Sequence, residues 1–91
     1  MAESALSFTA FVLSLASTAA IHFGDLPDPS SGQPGEPNLD GAAQMIEILA
    51  LLENKTKGNL TAEERQVLEQ VLYELRLRFV QATSGKRIIE P

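Results

Sequence analysis

The feature that most constrains this chain is a run of twenty residues without a charged side chain, from Ser4 to Phe23. In a helix such a run is about 30 Å long, the thickness of a bilayer core. Seven of its residues are polar, however, and the only charge close to its start is Glu3. Secretory signals begin with basic residues, and basic residues orient transmembrane helices. The run therefore predicts a helix buried within a protein, with a membrane anchor as the alternative.

This first helix, predicted over residues 4–23, is apolar on two sides. A projection at about 100° per residue places one apolar group on one face and a second group on the opposite face. Gly24 and Pro27 favour an end to the helix directly after Phe23. A helix with two apolar sides has to be covered on both. The first group is Phe8, Phe11, Val12, Leu15, Ala19 and Phe23, and the second is Leu6, Leu13 and Ile21.

The rest of the chain predicts a loop, two more helices and a tail. Residues 25–37 contain four prolines, two glycines and two serines, a composition typical of a loop. The second helix is predicted over 39–56, with Asn38 or Asp40 as its N-cap. The third helix is predicted over 62–82, and residues 83–91 form a flexible tail. The fold is therefore all-α, in a single domain that spans 1–91.

The third helix begins with the clearest local motif in the sequence. In Thr61-Ala62-Glu63-Glu64, Thr61 and Glu64 have the spacing of a capping box. Glu74 and Arg78 are also spaced to form an i, i+4 ion pair. The main apolar face consists of Val67, Leu68, Val71, Leu72, Leu75 and Phe79, and a second stripe, well away from it, consists of Tyr73, Leu77 and Val80.

Helices two and three, joined by a short turn, are expected to form an antiparallel hairpin. One further helix covers only one side of that hairpin. Apolar residues on the first helix and on the hairpin therefore stay exposed in a single chain. Soluble proteins rarely leave such patches bare, so the pattern predicts a homo-oligomeric helical bundle, a dimer or a tetramer. The predicted self-association residues are Leu6, Leu13, Ile21, Tyr73, Leu77 and Val80.

Composition excludes several kinds of chemistry. The chain has no cysteine, which rules out a disulfide framework, an iron–sulfur cluster and a thiol nucleophile. It has one histidine, and its carboxylates do not have the spacing of a calcium loop. No acid, base and nucleophile can be assembled into a catalytic set. The sequence therefore predicts a protein that is not an enzyme, with no catalytic, cofactor-binding or metal site and no cofactor.

The net charge of −5 is unevenly distributed. Residues 1–54 carry seven acidic side chains and no Lys or Arg, whereas residues 55–91 carry all seven bases and five acids. The two parts therefore sum to −7 and +2, and they can pair within a chain or between chains. His22, Arg76 and Arg78 are the candidate polar or partner contacts. The basic end makes weak nucleic-acid binding a further alternative, although the acidic chain as a whole disfavours it.

A series of short motifs runs through the chain in a fixed order. They are Ser7-Phe8-Thr9-Ala10-Phe11-Val12-Leu13-Ser14-Leu15-Ala16, His22-Phe23-Gly24 with Pro27 and Pro29, Asn38-Leu39, Lys55-Thr56-Lys57-Gly58-Asn59-Leu60-Thr61, Leu72-Tyr73-Glu74-Leu75-Arg76 and Phe79-Val80. This series resembles a bacterial family catalogued as domain of unknown function 1844. The resemblance covers residues 7–80 and implies a short, helical, cytoplasmic protein without an assigned activity. Together with the apolar pattern it predicts a protein that acts through self-association and through unknown protein partners, as an adaptor or scaffold.

Overall fold

The computed structural model describes residues 7–33 and 35–87, and over these residues the chain is all-helical. The helices are α1 (Phe8–Phe23), α2 (Leu39–Lys55) and α3 (Ala62–Arg87). Each helix packs against the other two. The predicted all-α fold with three helices is therefore confirmed.

The start of α1 is set by Ser7. Its backbone is extended, and its hydroxyl oxygen accepts a hydrogen bond of 3.0 Å from the Ala10 backbone N–H. The helix consequently begins at Phe8, and the predicted start at Ser4 is wrong. An uncharged, apolar run shows where a helix is buried, but a capping serine fixes where it begins. Leu6 lies outside the described residues.

The end of α1 agrees with the prediction. Gly24 adopts a left-handed backbone with φ 84°, which a residue without a Cβ does at little cost. Its N–H donates to the Ile21 carbonyl, and the Asp25 N–H donates to the Ala20 carbonyl, both at 2.9 Å. This is the hydrogen-bond pattern of a Schellman motif, and it satisfies carbonyls that the last turn would otherwise leave free.

A loop then returns the chain to the end of α1. Within the described part of 25–37, Asp28 holds the turn, because one of its carboxylate oxygens accepts from both the N–H and the hydroxyl of Ser30. These hydrogen bonds, the backbone one first, lower the pKa of Asp28. At the end of the loop the Asn38 N–H donates to the His22 carbonyl. The start of α2 is thereby fastened to the last turn of α1.

Capping residues also define α2 and the start of α3. The Asn38 side-chain oxygen accepts from the Gly41 N–H at 3.0 Å, so Asn38 is the N-cap of α2. At the start of α3, the Glu64 N–H donates to the Thr61 hydroxyl at 3.1 Å. The Thr61 N–H in turn donates to the Glu64 carboxylate at 2.9 Å. The predicted capping box is confirmed.

The far end of α3 differs from the prediction. The helix runs to Arg87, so the predicted end at Ala82 is wrong, and residues 83–87 of the predicted flexible tail are helical. The Thr83 hydroxyl donates to the Phe79 carbonyl at 3.0 Å, a bond to the preceding turn that a helix accommodates. Ala82 also packs against the core. Residues 88–91 lie outside the described part of the chain.

The core lies where the three helices meet. The main apolar faces predicted for the first and third helices are buried or half-buried there, except at Phe11, which is 40% exposed. Leu49, Leu68, Leu72 and Val12 are the largest fully buried side chains. No polar or charged side chain is buried among the described residues. The buried residues are Val12, Ala19, Phe23, Ala42, Met45, Leu49, Leu68, Val71, Leu72 and Leu75.

Candidate interaction surfaces

The second apolar stripe of α3 lies outside the core, as its spacing predicts. Tyr73, Val80 and Leu77 are 64%, 55% and 44% exposed. They line an open groove of about 410 Å³, whose floor includes the edge of Leu72. We call this groove the Tyr73 groove. Its remaining lining residues are charged: Glu53 from α2, and Glu69 and Arg76 from α3.

A second open groove, of about 520 Å³, lies between α1 and α3. Leu13, which is 49% exposed, faces Val67 and Val71 across this Leu13 groove. Leu13 therefore lies in a different groove from the α3 stripe with which it was grouped in the sequence. The other lining residues are all polar, and none is basic: Thr9, Glu63, Gln66, Gln70 and Glu74.

Ile21 and His22 lie at neither groove. Both are half-buried, in a cleft that the Pro-rich loop forms with the last turn of α1. The His22 ring lies against the start of α2: a Cβ on Gly41 would be only 2.7 Å from His22 Nδ1. His22 is thus a packing residue at the α1–α2 contact, where the absence of a side chain on Gly41 makes room for the ring.

Arg78 is held within the chain. Its Nε and one terminal nitrogen donate to the two carboxylate oxygens of Asp25, each at 2.8 Å. The guanidinium also lies over the Phe23 ring, 5.1 Å from its centroid, and Phe23 contacts Phe79 edge-on. The hydrogen bond from Arg78 holds the pKa of Asp25 below its ordinary value. The pair joins the acidic and basic parts of the chain and fastens the end of α1 to α3.

This geometry corrects one predicted pair. Glu74 and Arg78 do not pair as the i, i+4 spacing suggested, because Arg78 binds Asp25 and Glu74 accepts a hydrogen bond of 2.7 Å from the Gln70 amide. A bidentate pair with the Asp25 carboxylate, just beyond the end of α1, competes successfully with a single contact along one helix. Arg76, in contrast, lies exposed at the Tyr73 groove.

Sequence reasoning missed Glu53 and Glu69 as members of the Tyr73 groove. A signal for Glu69 was available, since residues at i, i+4 and i+7 share a helix face and Glu69, Tyr73 and Arg76 have this spacing. Glu53 carried no comparable signal, because its position depends on how α2 packs against α3.

The described residues contain no cluster of three His, Asp or Glu side chains that could hold a metal ion. Over the same part of the chain, no helix has both the length and the apolar character needed to cross a membrane. The polar side chains that can be described lie at least partly in solvent. The most developed features of the surface are therefore the two grooves.

The family of the chain is shown by its sequence. A family model described as Domain of unknown function (DUF1844) matches residues 5–81, and the chain belongs to this family. The match includes all of residues 7–80, so the predicted resemblance to this family is confirmed over its whole length. No curated protein and no solved structure matches the chain. The function therefore has to be argued from the surfaces described above.

Proposed function

We propose that this protein is a non-enzymatic adaptor or scaffold that works through self-association and through a protein partner. The observation that carries the proposal is the uncovered stripe of Tyr73, Leu77 and Val80 on α3. The three side chains expose about half or more of their area within one groove. Exposure of such an apolar patch to water is unfavourable in free energy, and a second protein surface that covers the patch removes it from water.

We infer that α2 and α3 form an antiparallel hairpin that presents this stripe. Six residues, 56–61, connect the two helices, and the helices pack against each other. So short a connection brings neighbouring helices into antiparallel contact. The hairpin places Glu53 of α2 beside Glu69 of α3 at the Tyr73 groove.

The two grooves differ in a way that suits an adaptor. Apolar side chains with charges of both signs form the Tyr73 groove, a composition that a second copy of the chain can match. The Leu13 groove carries Glu63 and Glu74 with amides and no base. We propose that the Tyr73 groove is the self-association face. The Leu13 groove then takes a helix of a partner protein that carries basic residues along an apolar stripe.

Self-association is tested by the mass of the protein in solution. Light scattering at micromolar concentration is expected to give at least twice 9.8 kDa. Leu77→Glu places a charge in the Tyr73 groove and is expected to give the monomer mass, because burying an unpaired carboxylate is strongly unfavourable. Leu51→Glu is the matched control, since Leu51 is also an exposed leucine, at 56% against 44% for Leu77, and lines neither groove.

The control decides the outcome. A monomeric parent protein contradicts the proposal, and so does equal dissociation by the two leucine variants. Circular dichroism on each variant shows whether the helices are intact. The cytoplasmic location and the weak nucleic-acid binding stay predictions. Fractionation without detergent tests the location, and a salt titration tests nucleic-acid binding.

For the partner, the chain is tagged and used to capture proteins from its native cell. A protein that is captured by the parent and by Leu51→Glu, but lost with Leu13→Glu, supports the Leu13 groove as its binding site. Retention of every captured protein by Leu13→Glu contradicts this assignment.

A further inference from the structure

Two opposite charges bracket Tyr73, the first residue of the apolar stripe of α3. Glu69 lies about one turn before Tyr73, and Arg76 lies about one turn after it. Both side chains are exposed and both line the Tyr73 groove. They are about 10 Å apart along the helix, at about 1.5 Å per residue, too far to form an ion pair with each other. Each charge is therefore available to a molecule that occupies the groove.

The order of these charges selects how two copies can meet. If two α3 helices pack in parallel about a two-fold axis, Arg76 lies against Arg76 of the second copy and Glu69 against its Glu69. Such contacts between like charges oppose association. If they pack antiparallel with the axis near Tyr73, Arg76 of each copy lies opposite Glu69 of the other. The midpoint between positions 69 and 76 falls between Leu72 and Tyr73, and both of these residues line the groove.

We propose that the occupant of the Tyr73 groove is a second copy of this chain, with its α3 antiparallel and two symmetric ion pairs between Arg76 and Glu69. The inference rests on the proposed self-association and adds to it the direction of the helices and the residues that select it. A two-fold contact uses the same surface on both copies, so a surface must be complementary to itself. The face of α3 around Tyr73 meets this requirement, because Glu69 and Arg76 carry opposite charges and lie on either side of Tyr73.

Glu53 strengthens the charge argument. It contributes a second carboxylate to the groove from α2. An arginine that enters the groove from another copy therefore meets two acidic side chains, whereas a glutamate meets Arg76. Tyr73 supplies apolar area between these charges, and Leu77 and Val80 extend the apolar surface beyond Arg76. The ion pairs supply orientation.

The test is a charge exchange between copies. Glu69→Arg and Arg76→Glu are made separately on the full chain, and dissociation constants are measured by sedimentation. Each single variant places like charges at both symmetric contacts, so we expect its dimer to weaken about tenfold or more. An equal mixture of the two variants restores both ion pairs in a mixed dimer. The mixed dimer is expected to bind within about threefold of the parent protein.

This mixture excludes explanations within one chain. Glu69 also lies near Arg65, which shares a surface cleft with it, so Glu69→Arg changes a local contact as well. That local change persists in the mixture and cannot cause a rescue. Glu47→Arg, a reversal at an exposed position of α2 outside both grooves, serves as the control for net charge.

Each outcome has a definite meaning. Weakened single variants with a rescued mixture support the antiparallel arrangement. Single variants that dimerise like the parent overturn it, and so do weakened variants that the mixture does not rescue; in both cases the proposed self-association stands. A parent protein that is monomeric overturns both proposals. Glu69→Gln and Arg76→Gln give the same comparison with a smaller change if a reversed charge prevents folding.

Discussion

The contact of Arg78 with Asp25 and Phe23 makes a quantitative prediction about stability. Asp25→Asn removes the charge of the acid and keeps its shape. Arg78→Met removes the guanidinium and keeps an unbranched apolar side chain against Phe23. α1 itself carries no charged side chain, and the ion pair between Asp25 and Arg78 joins the end of α1 to α3. Loss of this ion pair is expected to lower the free energy of unfolding without changing the packing of the core.

The expected size of this loss in stability follows from how far the two side chains are exposed to water. The side chains of Arg78 and Asp25 are 35% and 42% exposed, so water screens the pair, and such ion pairs contribute about 0.2–1 kcal/mol. The bidentate geometry favours the upper end of that range. A guanidinium over an aromatic ring adds about 0.5–1 kcal/mol at an exposed site. We therefore expect about 0.5–1 kcal/mol from Asp25→Asn and about 1–2 kcal/mol from Arg78→Met.

The assay is urea unfolding of the parent, both single variants and the double variant, at one protein concentration because association adds to apparent stability. The coupling energy of the cycle isolates the ion pair. In thermal unfolding, each kcal/mol corresponds to about 4–8 °C in a domain of this size. Glu47→Gln removes an exposed carboxylate from α2 and serves as the control.

The pH dependence has a definite sign. The pKa of Asp25 is lower in the folded protein than its ordinary value of 3.8. Its stabilising contribution is therefore complete well above 3.8 and is lost as the pH falls through the lower, folded value. The difference between the parent and Asp25→Asn should be present at about pH 7 and should shrink towards zero as the pH falls below 3.8 and through the lower, folded value. A difference that does not change with pH, or a coupling energy near zero, would refute the reasoning.

Three further substitutions test local contacts by urea unfolding. Gly41→Ala should destabilise the parent, because the new Cβ would lie 2.7 Å from His22 Nδ1 and 2.9 Å from Asn38 Nδ2. It should destabilise less in a His22→Ala background, where only the contact with Asn38 remains; equal effects in both backgrounds would contradict the packing role of His22. Thr61→Ala should cost about 0.5–2 kcal/mol by removing the cap of α3, whereas an effect within error would show that the capping box adds no stability. Leu68→Ala, at a fully buried position, should cost about 2–5 kcal/mol, and a smaller loss than at Thr61 would place the core elsewhere.

Local hydrogen-bond chemistry and apolar periodicity account for what the sequence predicted well. Gly24 ends α1 because a residue without a Cβ adopts a left-handed backbone at little energetic cost. Thr61 begins α3 because its hydroxyl accepts a hydrogen bond from the Glu64 N–H. Both effects act within five residues of chain. The buried faces of α2 and α3 likewise follow from spacing, since a residue such as Leu49 or Leu72 returns to the same side of a helix every three or four positions.

Features that depend on contacts between helices could not be read from the sequence. Arg78 has a partner four residues away in sequence, Glu74, and another 53 residues away, Asp25; only the position of α1 against α3 decides between them. Leu13 and Tyr73 looked equivalent as leftover apolar residues, yet they line separate grooves. The length of α3 was underestimated because Thr83 bonds to the turn before it instead of breaking the helix.

Two arginines in the second half of α3, Arg76 and Arg78, are expected to act separately on stability and on the proposed association. Arg78 and Arg76 are two positions apart, so they point to different sides of the helix. The side of Arg78 faces the end of α1, where Asp25 binds its charge within the chain. The side of Arg76 faces a groove whose acidic member on the same helix, Glu69, is a full seven residues away. Neutralising Arg78 should therefore lower the free energy of unfolding of a single chain. Reversing Arg76 should leave that energy nearly unchanged and raise the dissociation constant of the dimer.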